Sequence, residues 1–237
     1  MIFPRPQKFT STVLLKDFLD NSEKFLRIRF KSVVAFEFLA GQYFSFKINE
    51  KGERRSYSVA ATVGDEFEIA VDISPEGAGS EFLKSLQIGQ ETEVLGPLGR
   101  FVIDESHRQM KLLFVATGSG IVPLKAMIDD LLLKKQDARE ITLYWGLRNR
   151  ADIFWLEEFN LLKNSFKNFH FHLCLSKPGE TADYLEGRVT KWIDTHFESL
   201  QEHEAYVCGS HEMIADVKKL LKEKGMAAEN LHEEQFF

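Results

Sequence analysis

A cation, a flat phenol and two hydroxyls occur within four consecutive residues, Arg55, Ser56, Tyr57 and Ser58. A guanidinium presents forked donors that match phosphate oxygens, and a phenol ring prefers to stack with an offset on another flat ring. This segment could therefore hold a ligand that carries both phosphate and a planar ring. Taken alone, Arg55 is more simply explained as an exposed cation, so the interpretation depends on other segments.

Three further segments contain glycine, and in the last two the glycine follows a predicted strand. They are Gly-Pro-Leu-Gly-Arg-Phe at 96–101, Thr-Gly-Ser-Gly-Ile-Val-Pro at 117–123 and Cys208-Gly209. Glycines in the second segment would let the backbone approach a pyrophosphate, and the helix that follows would offer unpaired N–H groups. A tight strand-to-helix turn needs glycine in any case. The segment also lacks the third glycine and the later acidic residue of a standard Rossmann site, so such a site is disfavoured.

The hydrophobic pattern changes near residue 108. Before this point, short runs alternate between apolar and polar residues, at 25–30, 43–48 and 67–73, which is typical of an antiparallel barrel. After it, apolar strands are predicted at 112–116, 141–145, 169–175 and 205–208, with helices at 123–135 and 154–162. We therefore predict an N-terminal antiparallel β-barrel at 1–108 and a C-terminal α/β domain with a parallel sheet at 109–237, joined near His107–Met110.

Composition and charge exclude several classes of protein. The 237 residues carry a formal net charge of −6, which argues against nonspecific binding to nucleic acid or to anionic membrane surfaces. No apolar run approaches the roughly 18 residues that would span a bilayer, and the first residues lack the order of a signal peptide. We therefore expect a cytoplasmic protein without membrane insertion. The 21 phenylalanines predict cores filled with aromatic rings.

Cysteine and histidine spacing predicts no metal centre in this chain. The two cysteines, Cys174 and Cys208, form no C-x-x-C pair, whereas an iron–sulfur cluster normally uses four thiolates. The seven histidines likewise show no metal-ligand spacing. If the protein handles single electrons, we expect the cluster to be on a partner.

The four motifs together resemble the ferredoxin-NADP reductase superfamily. Arg-x-Tyr-Ser at 55–58, Gly-Pro-x-Gly-x-Phe at 96–101, Thr-Gly-x-Gly-Ile-x-Pro at 117–123 and Cys-Gly at 208–209 occur in the order that this superfamily has, over nearly the whole chain. The resemblance implies an FAD-binding barrel followed by a nucleotide-binding domain, with the two cofactors meeting at the cleft between them.

The resemblance also implies roles for the first motif. Tyr57 would lie on one face of the isoalloxazine, Ser58 would bond near flavin N5, and Arg55 would bind the flavin phosphates, with Ser56 beside them. A second flavin segment starts at the end of the third barrel run, and its backbone would wrap the diphosphate of FAD in preference to FMN. Its residues are Val71, Ile73, Gly77, Ala78, Gly79 and Ser80. A hairpin turn is the alternative explanation for this segment.

On the nucleotide side, the resemblance implies that strand ends border NADH or NADPH. The residues are Thr117, Gly118, Gly120, Pro123, Gly146, Arg148, Ser176, Lys177, Cys208 and Gly209. Lys177 could pair with a 2′-phosphate, whereas Pro178 resembles the NADH group, so NADH is favoured. Arg148 is equally explained as a solvated loop charge. Cys208 would lie beside nicotinamide C4 in a positioning role, so we expect no lowered thiol pKa; from composition alone it is a buried core residue.

The chain ends in Glu233-Glu234-Gln235-Phe236-Phe237, which resembles the terminus of bacterial ferredoxin reductases. Phe236 or Phe237 would cover the open flavin face until nicotinamide displaces it, and Glu234 would support proton or hydride handling. A disordered tail is the alternative. Two terminal phenylalanines favour docking, because exposed aromatic rings are unfavourable in water.

These observations predict a flavin-dependent oxidoreductase that transfers hydride from NAD(P)H to bound FAD. The residues expected at the reacting centre are Tyr57, Ser58, Cys208 and Glu234. Electrons would then pass to an acceptor, which could be a ferredoxin, an oxygenase component, a haem protein or free flavin. Two alternatives stay open: a flavin reductase that releases its flavin, and a relay subunit that works only inside a larger complex.

Overall fold

The computed structural model describes residues 2–107, 110–179 and 184–235 and contains two sheets. The first sheet closes into a six-stranded antiparallel barrel, and the second is a six-stranded parallel sheet flanked by helices. The predicted fold class is therefore confirmed. The predicted domain boundary stays a prediction, because residues 108 and 109 lie outside the described ranges.

The barrel neighbours run in the order β1-β2-β5-β4-β3-β6, and β6 pairs back onto β1. One helix, α1 (Ala78–Ser85), connects β5 to β6. The strands are β1 (Gln7–Phe18), β2 (Phe25–Ser32), β3 (Tyr43–Lys47), β4 (Arg54–Val63), β5 (Glu66–Asp72) and β6 (Glu91–Leu98).

Phenylalanine fills the barrel, as its abundance in the sequence predicts. Phe30, Phe44, Phe46 and Phe67 are fully buried. The rings of Phe44 and Phe67 meet edge to face at 4.7 Å, and Phe30 stacks on Phe67 at 5.1 Å. Aromatic pairs in these arrangements contribute about 0.5–1.5 kcal/mol each beyond the area that they bury. The alternation of inward rings with outward polar residues therefore fixes the strand register.

The parallel sheet has the strand order β10-β9-β8-β7-β11-β12. Its strands are β7 (Lys111–Thr117), β8 (Ile141–Asn149), β9 (Phe169–Lys177), β10 (Leu185–Glu186), β11 (His203–Gly209) and β12 (Leu231–Gln235). Its helices are α2 (Ile121–Asp129), α3 (Leu156–Ser165), α4 (Val189–His196) and α5 (His211–Glu223). Residues 141–147 of β8 are all buried, as expected for a strand covered on both faces.

The helices differ in detail from the sequence prediction. α2 begins two residues before Pro123 and continues into a π-helical turn at Asp130–Lys134. α3 begins at Leu156 because Trp155 has a left-handed backbone, with φ of 51°. The terminal strand β12 was not predicted. No helix in the described ranges is long and apolar enough to cross a membrane.

The barrel packs directly against the parallel-sheet domain. The ring of Phe25 at the start of β2 lies 4.5 Å from that of Phe154, which precedes α3. Beside them, Ser22 Oγ donates to Asp152 Oδ1 at 3.2 Å. These contacts hold the loop between β1 and β2 against the carboxyl end of β8. The carboxyl edge of the parallel sheet therefore faces the barrel.

Candidate functional site

The predicted flavin residues on β4 meet the beginning of α1. Tyr57 Oη donates to the carbonyl oxygen of Gly79 at 3.3 Å. A Cβ atom built on Gly79 would lie 2.9 Å from Tyr57 Oη and 3.3 Å from Arg55 Cγ. Glycine at position 79 therefore allows the beginning of α1 to lie close to Tyr57 and Arg55. Arg55, Tyr57 and Gly79 form one cradle, in which a cation, a half-buried ring and backbone amides lie together, so the residues fit FAD.

Tyr57 is held as a neutral phenol in this cradle. Burial raises the pKa of Tyr57 to about 12, although the charge of Arg55 opposes that shift. The Tyr57 ring meets the ring of Phe46 edge to face at 5.5 Å, which fixes its orientation. Arg55 and Ser56 are exposed. The guanidinium of Arg55 donates to the carbonyl oxygen of Arg54 at 2.9 Å.

The segment between β5 and α1 divides into buried and exposed parts. Ile73 is 4% exposed and packs into the barrel core with half-buried Val71. Their side chains are therefore structural, and only their backbone could meet a ligand. Gly77 and Ala78 are exposed at the beginning of α1. The hydroxyl of Ser80 donates to the carbonyl oxygen of Pro75 at 2.6 Å, which closes the turn before the helix.

Ser58, Cys208 and Glu234 come together where the barrel meets the parallel sheet. Ser58 is buried, and its Oγ donates to Glu234 Oε2 at 3.4 Å. Cys208 on β11 and Glu234 on β12 are paired in parallel register. Burial raises the pKa of Glu234 to about 7, against the opposing hydrogen bond from Ser58. This carboxyl can therefore change its protonation state near neutral pH.

The Cys208 thiol is enclosed and held in its protonated form. It is fully buried, and burial raises its pKa well above the ordinary value, with a further contribution from the charge of Glu234. The expectation that its pKa is not lowered is confirmed. Because a thiolate is the nucleophilic form, Cys208 is suited to filling space beside a ligand and not to attack.

A cleft of about 320 Å³ lies at the carboxyl ends of the parallel strands. The sequence-predicted residues that line it are Thr117, Gly118, Gly146, Arg148 and Ser176. The cleft residues that sequence reasoning missed include Lys24, Arg188, Ser210, Glu212, Met213 and Asp216. The remaining predicted nucleotide residues, Gly120, Pro123, Lys177, Cys208 and Gly209, are outside its lining.

Two of those remaining glycines serve close packing of the strand ends. A Cβ on Gly120 would lie 2.2 Å from the carbonyl oxygen of Cys208. One on Gly209, whose φ is +155°, would lie 2.3 Å from Thr117 Oγ1. Glycine at both positions therefore allows the turn after β7 to pack against the end of β11. Pro123 is buried within α2, and Lys177 is exposed at the end of β9.

Apart from Lys24, which lies in the loop between β1 and β2, the missed cleft residues lie just before α4 or in the first half of α5. Arg188 precedes α4, and its Nη1 lies 3.6 Å from Asp216 Oδ2. Ser210 is the N-cap of α5, where its Oγ accepts from the N–H of Met213 at 3.3 Å. Serine after Cys-Gly at a strand end is a helix-start signal, so Ser210 was predictable. Arg188 carries no comparable signal.

Two predicted residues, Phe236 and Phe237, lie outside the described residues. Their proposed contact with the flavin face therefore stays a prediction. In the ranges that the structure does describe, no group of three or more His, Cys, Asp or Glu side chains is arranged to hold a metal ion.

Comparison with known proteins identifies both halves of the chain. The family model of the oxidoreductase FAD-binding domain matches residues 12–103, and that of the oxidoreductase NAD-binding domain matches residues 114–219. The chain belongs to the ferredoxin-NADP reductase superfamily. It is therefore an FAD- and NAD-binding oxidoreductase, and the first match contains the Arg55–Gly79 cradle while the second contains Cys208.

Individual proteins of known type are also similar to this chain. Reductase component 1 of terephthalate 1,2-dioxygenase from Comamonas sp. is 29% identical over 233 residues, which cover 97% of this chain and 68% of the relative. One subunit of the Na(+)-translocating NADH-quinone reductase from Pasteurella multocida (strain Pm70) is 31% identical over 166 residues, which cover 67% of this chain and 40% of that subunit. The solved cytochrome P450 reductase GcoB from Amycolatopsis has a TM-score of 0.91 at 25% identity, covering 100% of this chain and 72% of that chain.

Proposed function

We propose that this oxidoreductase takes hydride from NADH onto bound FAD and passes the electrons to a separate acceptor protein. The observation that carries the proposal is the cluster of Ser58, Cys208 and Glu234. It brings a hydroxyl of the FAD-binding barrel together with a thiol and a carboxyl of the NAD-binding sheet. A reaction between two cofactors bound by different domains requires such a junction.

In this proposal the barrel residues bind and orient FAD. Arg55 binds its phosphates, and the N–H groups at the beginning of α1 supplement that charge. Tyr57 packs on one face of the flavin ring, and Gly79 keeps the approach to the phosphates open. Bound FAD would supply the chemistry of two-electron entry and one-electron exit.

The nucleotide lies in the cleft along the carboxyl ends of the parallel strands. The turn at 117–120 leads into α2, whose first N–H groups and dipole favour the pyrophosphate. Gly146 allows Thr117 and Val189 to pack closely at this edge, because a Cβ there would lie 3.0 Å from both Thr117 Cγ2 and Val189 Cγ1. Arg148 is exposed at the same edge and adds positive charge.

NADH is the proposed reductant. Pro178 follows Ser176 and Lys177 as in NADH-dependent members, and a relative of the chain belongs to an NADH-quinone reductase. Lys177 is exposed and offers the charge that a 2′-phosphate would need, so NADPH is the alternative tested below.

Ser58 and Glu234 have a proton-handling role in the proposal. The Glu234 carboxyl, with its pKa of about 7, would hold or release a proton at neutral pH, and the Ser58 hydroxyl that bonds to it would pass that proton between Glu234 and the edge of bound FAD. Cys208, neutral and buried, fills the space beside the nicotinamide and excludes water. Phe236 and Phe237 complete the flavin cover in this proposal.

The acceptor is proposed to be an iron–sulfur protein, either a ferredoxin or an oxygenase component, in the cytoplasm. The support is that a similar protein is the reductase component of a dioxygenase. Cys174 and Cys208 are both buried and separate, and two thiols do not meet the four-thiolate requirement of an iron–sulfur cluster.

Anaerobic titration of the purified protein tests this function. We expect it to retain FAD, to lose its flavin absorbance on addition of NADH faster than with NADPH, and to turn over with an artificial one-electron acceptor. Bleaching without turnover would favour the relay subunit, and loss of flavin during purification would favour the flavin reductase. A colourless protein that does not bind added FAD would contradict the proposal.

A further inference from the structure

One cation of the nucleotide cleft belongs to the barrel. Among the described residues that line the cleft, Lys24 alone comes from the FAD-binding half of the chain. It stands in the loop between β1 and β2, immediately before Phe25. Its backbone is fixed independently of its side chain, because its N–H donates to Asp20 Oδ1 at 3.1 Å and its carbonyl oxygen accepts from the N–H of Ile73 at 2.9 Å.

The Lys24 side chain is paired with the strand that leads into the flavin-phosphate segment. Its Nζ lies 3.6 Å from Asp72 Oδ2, and the two side chains are 30% and 24% exposed. The other oxygen of Asp72, Oδ1, accepts from the N–H and the hydroxyl of Ser74 at 2.9 and 2.6 Å. Asp72 therefore joins Lys24 to the first turn of the segment between β5 and α1.

We propose that Lys24 binds the pyrophosphate of the nicotinamide dinucleotide from the barrel side of the cleft. It would exchange its ion pair with Asp72 for the phosphate oxygens. This inference rests on the proposed function, since it requires a dinucleotide in the cleft. The partly exposed pair at 3.6 Å is weak in water, so its loss on binding costs little. A pyrophosphate carries more negative charge than one carboxylate and is the stronger partner.

The position of Lys24 indicates that it would contact the pyrophosphate and not another part of the nucleotide. Lys24 lies on the side of the cleft next to the flavin segment, and it shares the cleft with Thr117 and Gly118 at the turn before α2. The candidate for a 2′-phosphate, Lys177, ends β9, two strands away from β7, and is outside the cleft lining. Arg188, which precedes α4, is already paired with Asp216 of α5. Lys24 would thus complete the phosphate site that the turn and Arg148 begin.

Equilibrium binding tests the proposal without turnover. The oxidised, FAD-loaded protein is titrated with NAD+, ADP-ribose and adenosine at fixed ionic strength, and flavin content is measured on the same samples. We expect Lys24→Gln to weaken NAD+ and ADP-ribose binding about tenfold, the loss of one charge-assisted contact. Adenosine, which lacks phosphate, should bind within about twofold of wild type. Lys24→Arg keeps the charge and should restore most of the affinity.

Two further variants separate ligand binding from a structural role. Asp72→Asn removes the competing charge but keeps an acceptor for Ser74, so we expect NAD+ to bind roughly two- to threefold more tightly. Lys31→Gln is the matched control, because Lys31 on β2 is likewise paired with an aspartate, Asp65, at 3.7 Å, but lies outside the cleft lining. It should bind NAD+ like wild type.

The outcomes that overturn the proposal are specific. Unchanged NAD+ affinity in Lys24→Gln would show that Lys24 does not reach the nucleotide. Equal losses for adenosine and ADP-ribose, or a loss in Asp72→Asn as large as that in Lys24→Gln, would show that the ion pair only supports the fold. If wild-type protein binds neither NAD+ nor ADP-ribose, the proposed function fails and not the assignment of Lys24 alone.

Discussion

Ser58 Oγ donates to Glu234 Oε2 at 3.4 Å, although 176 positions separate the two residues in the chain. Ser58 belongs to a barrel strand, and Glu234 belongs to the edge strand of the parallel sheet. The contact therefore exists only when both domains are folded and docked. It gives the half-buried carboxyl one polar partner, and the pKa of Glu234 is about 7, where a proton is readily gained or lost.

Glu234→Gln should remove a pH dependence from turnover. Burial raises the pKa of Glu234 to about 7, so the carboxyl is mainly protonated at pH 6 and mainly ionised at pH 8. If the carboxylate accepts a proton during reoxidation, wild-type turnover with a one-electron acceptor rises with pH through this range. We expect the variant to show a flat profile and, at pH 8, a rate lower by roughly 100-fold.

The neighbouring acid provides the control for this experiment. Glu233 forms a partly exposed ion pair with Lys218 at 2.6 Å. Glu233→Gln should keep the wild-type profile. An inflection near pH 7 that persists in Glu234→Gln would assign the titration to another group.

Gly79→Ala should impair FAD retention. The added methyl group would lie 2.9 Å from Tyr57 Oη and 3.3 Å from Arg55 Cγ, so either the ring or the beginning of α1 must move. Lys84→Ala is the control, since Lys84 is an exposed residue in the last turn of the same helix and lies outside the predicted flavin segment. Flavin content after gel filtration, measured by absorbance, distinguishes the two. Equal retention of FAD by both variants would remove Gly79 from the flavin site.

The two sheets could be predicted from the sequence, because the residues within each strand show whether one or both of its faces are buried. Alternating phenylalanines such as Phe44 and Phe46 specify a barrel strand, and the buried run that begins at Ile141 specifies a parallel one. The strand β12 is different. Its residues Leu231 to Gln235 are mostly polar, so no apolar pattern marks a strand, and it forms because β11 offers an unpaired edge in register.

The candidate site could be predicted only in part, because some of its residues lie in sequence motifs and others do not. Tyr57, Ser58 and Cys208 lie in motifs, and their types suit a flavin and nicotinamide site. Lys24 and Arg188 lie in no motif. They reach the cleft because folding brings the loop between β1 and β2, and the beginning of α4, to its edge. Tertiary contacts decide such residues, so a single sequence does not reveal them.

Both cysteines should resist alkylation in the native protein. Burial raises the pKa of Cys174 to about 12 and that of Cys208 well above its ordinary value. At pH 8 the Cys174 thiol would be almost wholly protonated, and the thiolate is the reactive form. We expect no reaction with a thiol reagent until denaturant is added, then two equivalents. Ile88→Cys, at a side chain that is 69% exposed, supplies a reactive control. Fast modification of one thiol in folded wild-type protein would contradict this burial.

Tyr206→Phe should destabilise the protein more than its small change in volume suggests. The Tyr206 hydroxyl accepts from the N–H of Asp104 at 2.7 Å and donates to Glu204 Oε1 at 2.8 Å. Glu204 is fully buried, and the same oxygen lies 2.8 Å from His232 Nε2 on β12. Removing the hydroxyl takes one hydrogen bond from a buried carboxyl and one from a backbone amide. We expect the free energy of unfolding to fall by roughly 1–3 kcal/mol in denaturant titration.

The loss of stability should extend to β12, because the ring of Tyr206 also stacks on that of His232 at 4.7 Å. Tyr206 and His232 are paired between β11 and β12, two residues before the pair of Cys208 and Glu234. Hydrogen exchange should therefore show faster exchange in β12 than in the barrel strands of the same variant. Tyr43→Phe, in the barrel, provides the comparison for loss of a tyrosine hydroxyl outside this network. A Tyr206→Phe variant as stable as Tyr43→Phe would mean that the hydroxyl contributes nothing to holding β12, and with it Glu234, at the junction of the two domains.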